Sequence, residues 1–280
     1  MNENKKLLSG SAWPIVTLTT DFGLSDYFVG SVKGVLLRET LSSGLPAVRL
    51  VDITHQIPRH DILSGAFVIN EAYRYFPAGS IHLVVVDPGV GTERRELIAS
   101  HAGHLFVGPD NGVFTYIFQA GETKVYQVKK PSFLNLNESA TFAGRDHFAP
   151  IAALLAGGVP PEKLGEPISD CKRIEGLSPW RAGADLVGKI VYFDQYGNAI
   201  TNVTGAALKE AGRRGEIFVS LAERKIEGIR KSYAEGQKGV GNLIINSSDR
   251  LEIFAPGESA RALLKLALLE EVYLKDLFRT

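Results

Sequence analysis

The chain has 280 residues, 45% of them hydrophobic and 22% charged, a balance that suits a folded globular protein with material for two ordinary domains. Lysine plus arginine and aspartate plus glutamate stand at 31 each, so no net field draws the chain onto nucleic acid or anionic lipid. One cysteine, Cys171, excludes an intrachain disulfide and any zinc site built from several thiolates, and a reducing cytoplasm is the expected compartment.

The first residues, MNENKKLLSGSAW, lack the continuous apolar core and small-residue cleavage site of a signal peptide. The longest apolar stretches, such as residues 83–86, fall far short of the ~20 residues that cross a bilayer. From Ile15 the run IVTLTTDFG reads as a buried strand ending in a turn, because β-branched residues give way to Asp and Gly. A helix is expected over 27–39, a strand at 48–53, a helix over 61–75 and a largely apolar strand at 81–86. Strand, helix, strand in succession predicts a parallel sheet.

An antiparallel pair follows at 96–100 and 104–108, then a short helical piece at 113–118 and a last helix from about Asp146 through FAPIAALLA. Residues 157–184 are dense in Gly, Pro and charge and read as a connection between domains. Beyond Ala184 the pattern changes to short strands, LVGKIVYFD, AITNV, EIFVSL, KIEGI and GNLIINS, separated by turn residues. These predict a small antiparallel barrel or sandwich, interrupted by a helix over 259–264 before a final strand near Val272. The expected division is residues 1–165, a linker at 166–183, and residues 184–280.

In an open α/β sheet, ligands bind beyond the carboxyl ends of the strands. Asp21 follows the first strand, Asp52 and His55 mark the end of the second, and Asp87 in VVVDPGVGTERR follows the third. Each has an ordinary structural alternative, since an Asp after a strand commonly caps a helix or closes a turn. Arg94 and Arg95 lie close enough for one to fold back onto Asp87, leaving the other as a solvated charge. In GRDHFAP, Asp146 reads equally well as a helix cap and Arg145 as an ion-pair partner. His101 and His104, three apart on strand-like segments, are expected to point to opposite faces, which argues against a metal pair. No HExxH, GxxxxGK[ST] or GxGxxG occurs.

Seven ordered blocks carry a resemblance: LTTDFGLSDYFVGSVKG, VDITHQIPRHDILSGA, VVVDPGVGTERR, FVGPDNGV, TFAGRDHFAP, YFDQYGNAITN and NSSDRLEIFA. Together they resemble the S-adenosylmethionine (SAM) hydrolases, also called SAM hydroxide adenosyltransferases, which share a fold with the fluorinating and chlorinating SAM enzymes. The resemblance implies an α/β protein with a Rossmann-like, mostly parallel sheet domain followed by a small antiparallel β-barrel domain. It also implies a homotrimer whose active sites lie between the first domain of one subunit and the second of its neighbour. SAM would be the substrate, without cofactor or metal.

By the same resemblance Asp21 matches an acid that holds the ribose hydroxyls, and Phe142 an aromatic near the nucleoside. Asp194 and Asn198 match residues that hold the amino-acid end and the ribose, with Tyr196 between them as an aromatic wall. Ser247, Glu252 and the backbone around Ala255 match the strand that reads adenine and the methionine carboxylate. Asp87 and Arg94 match two members of a water-handling Asp, Arg, His trio. The third member is replaced by Ala143, and His147, four residues on, serves in its place only if a helical turn begins there. An anionic Asp87 and a Gly144 without a hydroxyl disfavour halide as nucleophile. A halogenase and a non-catalytic SAM or adenosine binder are the alternatives.

Overall fold

The computed structural model describes residues 13–42, 44, 47–129, 141–211, 218–221 and 224–278. The first twelve residues, read above for a signal peptide, and the first two residues of EIFVSL lie outside them. The structure is mixed α/β with two sheets, and the chain divides into compact units at residues 1–174 and 175–280.

The first unit runs β1 (Ile15–Thr20), α1 (Phe28–Ser42), β2 (Arg49–Thr54), α2 (Ile62–Ala72), β3 (Ile81–Val85), β4 (Glu96–His101), β5 (His104–Pro109), α3 (Thr115–Gln119), β6 (Thr123–Val128), α4 (Ala149–Ala156) and β7 (Gly165–Ile168). Its seven-stranded sheet has the order β2-β1-β3-β5-β4-β6-β7. The four strands β2, β1, β3 and β5 are parallel and the remaining pairings antiparallel. Strands β1 and β3 are almost wholly buried, as strands covered on both faces must be. The covering is visible in the two-residue period of β3. Leu83 and Val85 join a core with Val32 and Leu36 of α1 and Ile151 and Leu155 of α4, whereas Val84 joins a core with Ile69 of α2 and Phe114 and Ile117 beside α3.

The hairpin of β4 and β5 changes one expectation. His101 and His104 are register partners across a two-residue turn, and antiparallel partners share a face. Both rings pack edge-on to Tyr73, at 6.1 and 5.4 Å, and His104 Nδ1 lies 3.1 Å from Nε2 of buried His82. The opposite-face expectation holds along one continuous strand, and the turn at Ala102 and Gly103 breaks that continuity. Among the described residues no group of three His, Cys, Asp or Glu is placed to hold a metal ion.

The second unit runs β8 (Trp180–Ala182), β9 (Asp185–Phe193), β10 (Ala199–Thr204), α5 (Gly205–Glu210), β11 (Phe218–Leu221), β12 (Arg224–Glu227), β13 (Ile229–Arg230), β14 (Asn242–Ile245), β15 (Arg250–Phe254), α6 (Ala260–Leu263) and β16 (Glu271–Leu274). Eight strands follow the order β12-β11-β16-β9-β10-β15-β14-β13, with β8 paired to β9. Every pairing is antiparallel except β13 with β14. Ile226 of β12 and Leu243 of β14 lie in one core with Ile190, Val203, Ile253 and Val272, so the sheet curls until its ends approach, in a nearly closed, barrel-like form. No described helix is long and apolar enough to cross a membrane.

Candidate active site

The first unit carries a cavity of about 260 Å³ beyond the carboxyl ends of β1 and β3, where an α/β sheet presents its loops. Asp21, Asp87, Phe142 and Ala143 line it, together with Phe22, Phe28, Asp26, Arg59, His60 and Gly144. One wall is aromatic: the Phe142 ring meets Phe22 and Phe28 edge-on at 5.7 and 5.3 Å. The Arg145 guanidinium lies 5.0 Å over Phe142, within cation–π range. Gly144 leaves the wall thin, since a Cβ there would stand 3.3 Å from the Phe22 ring.

Asp87 is held by a loop that folds back on itself. Val90 N–H donates to the Asp87 carbonyl and the Thr92 hydroxyl to that of Gly89, which returns Arg94 to the carboxylate. Arg94 Nε lies 2.9 and 2.8 Å from the two Asp87 oxygens, and Nη2 lies 2.5 Å from Oδ2. Their side chains are 7% and 4% exposed, so this is a buried, charge-assisted fork rather than a surface pair. Arg94 also stacks over Phe148 and approaches Glu96 at 3.6 Å.

The second arginine is not the solvated charge expected of it. Arg95 bridges Asp110 and Asp170 at 2.7 Å each, because Asp110, at the end of β5, is buried and needs a cation. Asp52, inside β2, neither caps a helix nor closes a turn; Lys33 Nζ lies 2.6 Å and His55 Nε2 3.0 Å from its oxygens. Asp146 is no cap either; its carboxylate accepts from Nε and Nη2 of Arg145 at 2.7 and 2.8 Å.

The turn required for His147 does form, but as a π-helical turn over Gly144–Phe148, closed by the Ala149 N–H on the Gly144 carbonyl. This wider turn keeps Ala143 on the cavity. His147 lies behind it, with Nδ1 2.5 Å from Glu96 Oε1, outside the cavity lining. The imidazole is thus joined to Arg94 through Glu96, a residue that the sequence pattern marked only as the start of a strand.

Asp21 Oδ2 accepts the backbone N–H of His60 at 2.9 Å. His60 adopts a left-handed backbone, φ 64°, a conformation few non-glycine residues take, with Asn, Asp and His the commonest among them. Neither His60 nor Arg59 stood out by composition, because nothing in HQIPRHD marks a left-handed residue.

The second unit carries a cavity of about 770 Å³ lined by Asp194, Tyr196, Asn198, Tyr233, Phe254, Ala255 and Ser259, among others. Asp194 organises one rim: it accepts the N–H groups of Tyr196 and Asn198, each at 2.9 Å, and the Asn198 amide at 3.0 Å. Tyr196 is left exposed. Glu252 is buried behind the opposite wall, receiving the Tyr233 hydroxyl and the Asn246 amide, each at 2.9 Å. Burial holds its carboxyl above the usual range despite these two bonds. Burial, then the Glu252 charge, pushes the Tyr233 hydroxyl to about 12. Ser247 sits exposed in the turn between β14 and β15, away from this lining.

Two family models match the chain: the SAM hydroxide adenosyltransferase N-terminal domain over residues 16–165 and the C-terminal domain over residues 188–273. An (R)-S-adenosyl-L-methionine hydrolase from Salinispora tropica is 38% identical, covering 90% of this chain and 94% of its own. The (R)-S-adenosyl-L-methionine hydrolase of Thermus thermophilus is 34% identical, covering 90% and 95%. A fluorinase from Nocardia brasiliensis is 30% identical, covering 71% and 74%. A crystal structure of an uncharacterized conserved protein from Thermotoga maritima superposes with a TM-score of 0.82 at 28% identity, covering 93% of this chain and 99% of the other.

Proposed function

The chain belongs to the SAM hydroxide adenosyltransferase family, and from that premise we propose that it hydrolyses S-adenosyl-L-methionine to adenosine and L-methionine by attack of an oxygen nucleophile on C5′ of the ribose. The observation that carries the reading is the buried Asp87–Arg94 fork at the cavity beside Asp21 and Phe142.

A sulfonium is an excellent leaving group, so the barrier lies mainly in setting a poorly hydrated nucleophile in line behind C5′. Attack on the cation disperses charge, and a dry, aromatic-walled cavity favours that step if binding of the remote substrate ends offsets the cost of drying it. Both Asp87 oxygens are engaged by Arg94, which fits the carboxylate for orienting water more than for removing its proton. Glu96 and His147 stand behind Arg94 and hold the guanidinium in place. Asp21 takes the ribose hydroxyls and Phe142 the face of the nucleoside; Asp194 and Asn198, with Tyr196 beside them, take the amino-acid end and the ribose, and the backbone around Ala255, with Glu252 buried near it, the adenine and the methionine carboxylate, while Ser247, off the cavity lining, is given no contact.

In this reading the first unit is a Rossmann-like domain and the second a small barrel. The assembly is a homotrimer in the cytoplasm that needs no cofactor. A carboxylate beside the nucleophile repels halide, which favours water over the halogenating chemistry of the more distant fluorinase.

The test is incubation of purified protein with SAM in water enriched in oxygen-18. The expected products are methionine and adenosine bearing the label in its 5′-hydroxyl. Intact SAM after prolonged incubation, or 5′-halo-adenosine formed when halide is added, overturns the reading.

A further inference from the structure

Water that attacks C5′ must lose a proton, and the orienting pair is poorly suited to take it. Asp87 is engaged on both oxygens by Arg94, and Asp21 already accepts the His60 amide. His147, joined to Arg94 through Glu96, turns its Nδ1 to Glu96 and lies outside the cavity. The histidine residue that does line the cavity is His60, which is exposed to solvent.

Its position is enforced. The left-handed backbone at φ 64° is costly for a histidine, and the chain pins it from both sides. Upstream, Ile57 N–H donates to the Thr20 carbonyl; downstream, Asp61 caps α2 through the Ser64 N–H at 2.9 Å. The His60 amide itself is held by Asp21. A strained residue gripped by a binding-site carboxylate, with a proton-accepting side chain on the same cavity as Asp87, has the geometry of a functional group rather than of a simple turn.

We propose that His60 is the general base for the attacking water, an inference that rests on the SAM-cleaving reading above. The oxygen lone pair forms the bond to C5′ while the C5′–S pair leaves with the methionine sulfur. One water proton passes to the neutral imidazole. The positive charge leaves sulfur as it arrives on His60, so the net charge of the site is unchanged across the step. The charged residues on the same cavity are Asp21, Asp26, Arg59 and Asp87.

The experiment uses the full chain with His60→Asn and His60→Gly, both of which accept a left-handed backbone. The wild-type pH profile of kcat should rise through the range in which imidazoles deprotonate. Both variants should lose that limb and fall about 100-fold in kcat, the usual size of a general-base contribution, with KM within about threefold. Added imidazole should raise the rate of His60→Gly in proportion to its concentration. Variants that keep the wild-type kcat and pH limb, or that lose only KM, overturn the role of His60 while leaving SAM cleavage intact. A wild-type protein that returns SAM unchanged overturns both.

Discussion

Arg94 grips Asp87 through two nitrogens at 2.5 to 2.9 Å, in a position where both side chains are almost fully buried. A buried fork of this kind is costly to desolvate, and its place at the strand ends gives that cost a purpose. Asp87→Asn keeps the shape while removing the charge proposed to orient water. The expected result is a loss of about 100-fold in kcat, with the dissociation constant for SAM or adenosine within a few-fold. Rapid-quench assays of adenosine release and calorimetric titration with adenosine check the two halves. A variant with the wild-type rate removes Asp87 from the mechanism.

Stability should fall in mild acid because of His82. Burial, reinforced by neighbouring His104, depresses this imidazole to about 3 from 6.5. Below 6.5 the unfolded chain binds a proton that the folded chain refuses. The contribution is therefore complete above that value and lost as pH falls toward 3, at up to about 1.4 kcal/mol per pH unit. Urea unfolding at pH 7 and pH 5 should show the midpoint dropping. In His82→Gln, which keeps a hydrogen-bonding group beside Thr17, the drop should shrink, and equal slopes would refute the assignment.

Tyr233 should ionise near 12 rather than 10. Subtracting the ultraviolet titration of Tyr233→Phe from that of the wild type isolates its curve. Glu252→Gln removes one source of the rise, the charge beside the hydroxyl, and should bring the midpoint down. A midpoint that does not move would mean that burial alone sets it.

Gly197 joins Tyr196 to Asn198 with φ 79°, and a Cβ there would run into Ser259. Gly197→Ala should cost about 2 kcal/mol or more from backbone strain and collision, a fall of at least about 4 °C in Tm. It should also weaken adenosine binding, because Asp194 can no longer accept both N–H groups of the loop. Thermal scans with and without adenosine test both effects.

A homotrimer of this 30.4 kDa chain should show a light-scattering mass three times that value. A monomeric mass at assay concentration would remove the trimer from the proposal.

Much of the first unit was legible because its strands are buried on both faces. IVTLTT and IHLVV are dominated by β-branched and apolar residues, so their composition and length leave little choice. TKVYQV carries no strand signal of its own, since half of it is polar and it gains its place only by pairing with β4 and β7. The stretch read as a connection likewise contains β7 and β8, whose pairing depends on distant partners. Asp87 and Arg94 were within reach of sequence reasoning because a seven-residue spacing with two glycines, Gly89 and Gly91, suffices to fold one onto the other. His60 was not, because its left-handed backbone is imposed by contacts to Thr20, Asp21 and Ser64 that no local composition records.

The π-helical turn at Gly144–Phe148 accommodates one residue more than an α-helix would in the same rise. Deleting a residue there would let the segment rewind as ordinary helix, with α4 still seated on the sheet. The bulge takes up its surplus residue within a single turn, so the segments on either side would keep their bearing and Phe142 its place on the cavity. The surplus residue acts locally, widening one turn of backbone, so this stretch should tolerate the loss of one residue where the regular turns of α4, which have no such slack, should not.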